Sequence, residues 1–234
     1  MTPNALADAR TAVPSPPTAR KQPRVDVVHG ERREDDYFWM REKSNPEVAS
    51  YLEAENAYAD AVMKATEAFQ QTLYTEMLGR IQETDVNVPY RQGAHFYYSR
   101  TEQGKQYPIL CRKKSLEGDE EVTLDVNVLA EGHPFMALGA YAVSDDGNLL
   151  AYSTDSTGFR QYDLFIKDLR TGQSGPAVAP KTGSVAWAAD NRTLFYTVED
   201  EAKRHYRLYR HEIGSATPDE LVFEEPDEAF NIGV

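Results

Sequence analysis

The chain has 234 residues, 41% of them hydrophobic, which is enough for one large domain or two small ones with a real core. Its formal charge of −13 repels a phosphate backbone and excludes nucleic acid as a partner, while an acidic surface favours solubility and the approach of basic peptides. Cys111 is the single cysteine, so no intrachain disulfide can form, and with no apolar h-region near the start and nowhere 18 consecutive apolar residues, neither a secretory signal nor a membrane span is expected.

Residues 1–24 hold five of the 13 prolines and show no hydrophobic period, and they read as a flexible N-terminal arm. Residues 25–84 read as a helical segment that opens on an aromatic cluster, Tyr37, Phe38 and Trp39, expected to be exposed where a partner surface would cover it. Ser44 or Asn45 can cap a helix, with Pro46 at its first position and Glu47 near the positive end of its dipole. Val48, Tyr51, Leu52, Tyr58, Val62, Phe69, Leu73 and Met77 follow a 3.6-residue period. That predicts a helix over 46–79, with a break near Lys64–Thr66 and Gly79 as its stop. The Tyr and Met stripe along it reads as ordinary core packing.

Beyond Asp85, short β-rich runs alternate with turn signals at Gln103-Gly104, Asp145-Asp146-Gly147 and Thr171-Gly172, so helix gives way to sheet near Gln82–Val88. A shift of 44 residues aligns Ala142 with Ala186, Asp146 with Asp190, Leu150 with Leu194, Tyr152 with Tyr196, Tyr162 with Tyr206 and Leu164 with Leu208, without a gap. Several strands per unit at that period match a β-propeller blade, because one four-stranded blade cannot bury both of its faces alone. A looser copy precedes these: Tyr97 and Tyr107 share the spacing of Tyr152 and Tyr162, and Ile109 with Cys111 repeats Leu164 with Ile166.

The predicted fold is therefore mainly β, a partial β-propeller of about three blades over residues 85–234, with Ala229–Val234 as the opening strand of a fourth. The repeat alone leaves a sandwich of repeated hairpins as the alternative. Three blades cannot close a ring, so the end strands are expected to be open edges and the isolated chain to be marginally stable and prone to associate.

No G-x-S-x-G elbow is present. Gly172-Gln173-Ser174-Gly175 has the wrong spacing and reads as a loop. His29, His95, His133, His205 and His211 are scattered, without H-E-x-x-H, and are expected to be surface or packing residues. Neither glycine-rich phosphate motif occurs. The neighbouring carboxylates Asp35-Asp36, Glu120-Glu121 and Glu224-Glu225 point to opposite sides of an extended chain and read as solvated charge. No catalytic, cofactor-binding or metal-ligating residue is assigned. Because a propeller carries no chemistry of its own, a non-catalytic module that binds a peptide or a protein is one functional reading.

Four ordered strings point further. DDYFWMRE (35–42) and YLEAENAYADAVM (51–63) resemble the N-terminal region of the prolyl oligopeptidase family. YYSRTEQGKQYPILCRKK (97–114) and EGHPFMALGAYAVSDDGNLLAYSTD (131–155) resemble its oligopeptidase B branch in particular. The resemblance covers about residues 26–234. It implies a serine peptidase in which a seven-bladed propeller caps an α/β-hydrolase domain, gates entry to short peptides, and cleaves after Lys or Arg. The helical segment would pack on that hydrolase domain. The triad Ser, Asp and His would lie in that C-terminal portion, so this chain is expected to be inactive alone, to need no cofactor, and to have basic peptides and its own hydrolase domain as partners. A cytoplasmic location is expected.

Overall fold

The computed structural model of the chain describes residues 14–234, so the first part of the arm expected over residues 1–24 lies outside the described residues. The chain divides between Ile81 and Gln82 into two compact units.

In the first unit the end of the arm segment is tied down. Gln22 N–H donates to Asp36 O at 2.8 Å, Lys21 pairs with Asp36 at 2.8 Å, and Arg20 pairs with Glu47 at 2.7 Å. A hairpin that the sequence did not announce follows, β1 (Arg24–Val28) against β2 (Glu31–Asp35). Its second strand, ERRED, has no apolar residue, so turn chemistry directs it: His29 and Gly30 have φ of 53° and 83°, the left-handed pair that joins antiparallel strands in two residues.

Trp39, expected to be exposed, is buried. Its indole Nε1 donates to Arg20 O at 2.9 Å and the Arg20 guanidinium lies 5.5 Å from the ring centre. Phe38 is flanked by Arg24 and Arg41, while Tyr37 does remain exposed.

Two helices come next, α1 (Pro46–Met63) and α2 (Glu67–Leu78), with a tighter turn of helix at Lys64–Thr66 where the break was expected. Asn45 provides the cap, its Oδ1 accepting from Glu47 N at 3.0 Å. Gly79 ends α2 without a left-handed conformation, at φ −64°. The apolar stripe is not a core: Leu52, Phe69, Tyr74 and Met77 are exposed, and Val48 alone is buried in these helices. Among the described residues of this unit no strand packs extensively along them, which leaves their apolar faces open.

The second unit is three successive antiparallel meanders. The first blade opens on two short strands, β3 (Asp85–Val86) and β4 (Tyr90–Gln92), both paired with β5 (His95–Thr101); between them Pro89, which has no N–H, interrupts the ladder. Next come β6 (Ile109–Lys113) and β7 (Glu121–Asp125), then a turn of helix, α3 (Val126–Leu129), capped by Asp125. The second blade is β8 (Ala137–Val143), β9 (Leu149–Asp155), β10 (Asp163–Asp168) and β11 (Gln173–Ser174). The third is β12 (Thr182–Trp187), β13 (Thr193–Glu199), β14 (His205–Glu212) and β15 (Glu220–Glu224).

The 44-residue repeat is real in three dimensions. Tyr152 opposes Phe165 and stacks on it at 5.5 Å; 44 positions on, Tyr196 opposes Tyr209 and stacks at 5.5 Å. Both inner strands carry the same bulge. Gly139 and Ala140 together oppose Ser153, and Gly183 and Ser184 together oppose Thr197. In each, the hydroxyl caps the amide left over: Ala140 N–H donates to Ser153 Oγ at 2.8 Å and Ser184 N–H to Thr197 Oγ1 at 3.0 Å.

No strand forms over Ala229–Val234, where the opening of a fourth blade was expected. A propeller strand is fixed by a ladder with its own blade; here Ile232 N–H goes to His205 O at 2.9 Å and Val234 N–H to Ser184 Oγ at 3.0 Å.

The bulge glycines leave no room for a side chain. A Cβ on Gly183 would lie 2.7 Å from Thr197 Oγ1 and closer still to the His205 ring, and one on Gly139 would lie 2.7 Å from Ser153 Oγ and from the Tyr162 ring. Gly139→Ala and Gly183→Ala should each destabilise the chain by about 1–3 kcal/mol. Thr197→Val, which leaves the Ser184 amide without its acceptor, should cost about as much. Urea unfolding, read as a lowered midpoint at unchanged slope, checks all three.

Candidate functional site between two blades

Cys111 is buried on β6, and burial pushes its thiol up to about 11, so it is protonated and shielded at neutral pH. Ser174 is no nucleophile elbow: it lies on the short edge strand β11, where its Oγ accepts from the Tyr152 hydroxyl at 3.1 Å. Among the described residues no serine hydroxyl hydrogen-bonds a histidine, and no group of three His, Cys, Asp or Glu is placed to hold a metal ion.

The neighbouring carboxylates do more than carry solvated charge, contrary to the sequence-based expectation. Glu120 accepts from the Tyr98 hydroxyl at 2.7 Å and pairs with Arg100 at 2.9 Å. Glu121 forms a fork with Arg112, at 2.8 Å through Nε and 2.6 Å through Nη2. Arg112 is itself buried and reaches across to Gly147 O in the second blade. Asp36 and Glu224 are likewise paired, with Lys21 and Arg207. At Glu120-Glu121 both carboxylates meet cations, whereas Asp35 and Glu225 accept from backbone amides, those of Tyr37 and Asp227.

Four of the histidines fit the expectation of packing or surface roles. His29 forms the β1–β2 turn, and His133 follows α3 in a loop. His95 begins β5, where burial and the nearby charge of Arg112 lower its pKa. His205 begins β14, packed against the bulge at Gly183.

His211 is different. Its Nδ1 lies 2.8 Å from Asp219 Oδ1, and the hydroxyl of Tyr196 donates to the other oxygen, Asp219 Oδ2, at 2.7 Å. A carboxylate can only accept here, so the imidazole donates through Nδ1–H, and the carboxylate is held between two donors. Burial, reinforced by the bond to Asp219, pushes the phenol of Tyr196 well above its ordinary pKa and fixes it as a donor.

These three groups stand in the wall of a cavity of about 770 Å³ at the seam between the second and third blades. The other walls are mainly apolar: Ile166 from β10, Pro176 and Val178 from the link between the blades, Val198 from β13, and Ile213 after β14. A largely apolar concavity with a few convergent polar groups is the ordinary form of a small-ligand site. Sequence reasoning missed it because Asp219 lies in the loop just before β15, with no motif. The available signal was the repeat, which sets His211 against Lys167.

A family model described as "Prolyl oligopeptidase, N-terminal beta-propeller domain" matches residues 16–234. The chain is 39% identical to dipeptidyl aminopeptidase BI of Pseudoxanthomonas mexicana, over 98% of this chain and 35% of that protein. It is 37% identical to Protease 2 of Moraxella lacunata, over 92% of this chain and 33% of that protein. The structure is similar to that of oligopeptidase B from Leishmania major, with a TM-score of 0.80 and 30% identity over 91% of this chain and 33% of that one. The chain thus spans about a third of the length of the relatives it matches.

The state of Cys111 is open to direct measurement. At pH 8 a thiol of pKa about 11 is ionised in about one molecule in a thousand, and burial adds a steric barrier. Iodoacetamide should leave the native chain unmodified over hours and alkylate it stoichiometrically in denaturant, as read by mass spectrometry.

Proposed function

The chain belongs to the prolyl oligopeptidase family, and on that premise we propose that it supplies the N-terminal helical segment and the first blades of a serine oligopeptidase that cleaves short peptides after Lys or Arg. The observation that carries this reading is the succession of three antiparallel blades, one of five strands and two of four, in a chain whose described serines have no histidine partner. Acyl transfer needs a nucleophile, a base to take its proton and donors for the oxyanion. On this proposal those groups belong to a C-terminal hydrolase domain, and this chain contributes access and assembly.

Two features support that division of labour. The exposed apolar residues of α1 and α2, Leu52, Phe69, Tyr74 and Met77 among them, are the kind of surface that a folded partner domain covers. The propeller would act as a size filter, since a ring of blades has a rigid wall on each side of any opening and admits only narrow substrates. Residues 25–84 are accordingly assigned to the peptidase domain and 85–234 to the propeller, in a cytoplasmic enzyme.

The seam cavity favours a second reading, a non-catalytic module that binds a ligand without cleaving it. Activity separates the two. The purified chain should show no turnover of a fluorogenic peptide with Arg or Lys at the cleaved position, and no covalent labelling by a serine-directed phosphonate. Co-expressed with a hydrolase portion from the family, it should co-purify with that portion and yield Arg- and Lys-specific cleavage. Turnover or labelling of the chain alone overturns the assignment of the triad elsewhere. Failure to associate with any hydrolase portion favours the binding module.

A further inference from the structure

We propose that the cavity between the second and third blades binds a primary alkylammonium group, with the aliphatic stem along the apolar wall and the charge at Asp219. The inference is independent of the peptidase reading. Two seams join the blades among the described residues, and they differ.

At the seam between the first and second blades the space is filled from within. Lys167, on β10, sends its aliphatic stem across the seam, and Nζ donates to Thr123 O on β7 at 2.8 Å. The side chain is half-buried, and burial lowers its pKa. The residue 44 positions on is His211, at the matching place on β14.

Histidine is shorter and stiffer than lysine, and this one does not cross the seam. It turns instead to Asp219 beside its own blade, at 2.8 Å. The tyrosines repeat the contrast. Tyr152 donates to a neutral hydroxyl on Ser174, whereas Tyr196 donates to the Asp219 carboxylate at 2.7 Å. Where one seam holds a lysine, the next holds about 770 Å³ of space and a carboxylate.

The charge in that space has one sign. Among the described residues Asp219 is the sole carboxylate lining the cavity and no lysine or arginine lines it. Each Asp219 oxygen uses one lone pair on Tyr196 or His211 and retains another for an ammonium donor. Ile166, Val178 and Val198 offer the stem the apolar contact that the blade surfaces offer Lys167. The group that fits is what the fold itself places at the equivalent seam: an ammonium ion on a chain of four or five carbons. Its source is either a free alkylamine or the side chain of a lysine residue.

The test is a calorimetric titration of the whole chain with n-pentylammonium, with 1-pentanol as its neutral counterpart and Nα-acetyl-lysine methylamide as the peptidic form. Saturable binding of pentylammonium is expected, at least tenfold tighter than that of pentanol. Binding of the lysine derivative with similar affinity would identify a peptide side chain as the ligand; its exclusion would leave the free amine. Asp219→Asn, nearly isosteric and checked for folding by near-UV circular dichroism, should weaken pentylammonium at least tenfold. His211→Lys should place the amine of the first seam in the second, abolish binding and raise the melting temperature. Equal binding of pentanol, no saturable binding, or unchanged affinity in Asp219→Asn overturns the proposal.

Discussion

A single four-stranded antiparallel blade has two apolar faces and can cover neither by itself, and everything in the second unit follows from that constraint. The second blade shows it most clearly. Along β9, Leu150 and Tyr152 face Tyr97 and Leu124 of the first blade, while Ala151, on the opposite side, joins Leu164 of its own blade and Leu194 and Tyr196 of the third. Each such side chain contributes about 1.5–3 kcal/mol when buried, so a seam of four or five outweighs any one hydrogen bond across it. Polar contacts at the seams set register instead. Trp187 Nε1 donates to Ala142 O at 2.9 Å, and the left-handed turn residue Asn191 accepts from Asp146 N at 2.9 Å, each bond linking neighbouring blades.

Polar groups enclosed by these seams must find partners close by, and the copies solve this differently. Asp155, almost wholly buried at the end of β9, accepts from the amides of Thr157, Gly158 and Arg160, and closes the loop to β10. Burial pushes its pKa up, but these bonds together outweigh burial and hold it below the ordinary carboxylate range. The residue 44 positions on is Glu199, and there the capping duty moves one place along the chain. Asp200 accepts from Ala202 N and Arg204 N at 2.9 Å each. The strand keeps its length and the loop keeps its cap, although the carboxylate has shifted.

What the sequence disclosed depends on how local its cause is. Asn45, Pro46 and the 3.6-residue period act within one turn of chain, and the helix limits follow from them. The 44-residue repeat exposes the blades because the same burial is demanded twice of the same positions, Leu150 with Leu194 and Tyr152 with Tyr196. The β1–β2 hairpin stayed hidden because its strands are charged and its only signal is the His29-Gly30 turn. The burial of Trp39 stayed hidden too, since it depends on Arg20, a residue in a proline-rich stretch without pattern. The Asp219 cluster joins side chains from β13, β14 and the loop before β15, 23 residues apart for Tyr196 and 8 for His211, and no motif spans them.

A repeated fold carries its own control experiment, and that decides how its exceptions should be read. Where both copies keep a feature, such as the glycine bulge capped by Ser153 and by Thr197, the shared architecture requires it and no function need be invoked. Where the copies differ without cost to the blade, the difference is free to serve something else. Moving the loop cap from Asp155 to Asp200 keeps the loop closed, though it leaves Glu199 Oε1 buried without a hydrogen-bond partner. With Lys167 exchanged for His211, the stacked pairs Tyr152–Phe165 and Tyr196–Tyr209 keep the blades alike, yet the second seam is left with a cavity and a carboxylate. The second seam is open to solvent, so its apolar walls, Ile166, Val178 and Val198, stay only half-buried, a cost in unburied surface that packing alone does not explain. That asymmetry marks the Asp219 seam, rather than the conserved geometry of the blades, as the part of this unit whose chemistry is particular to it.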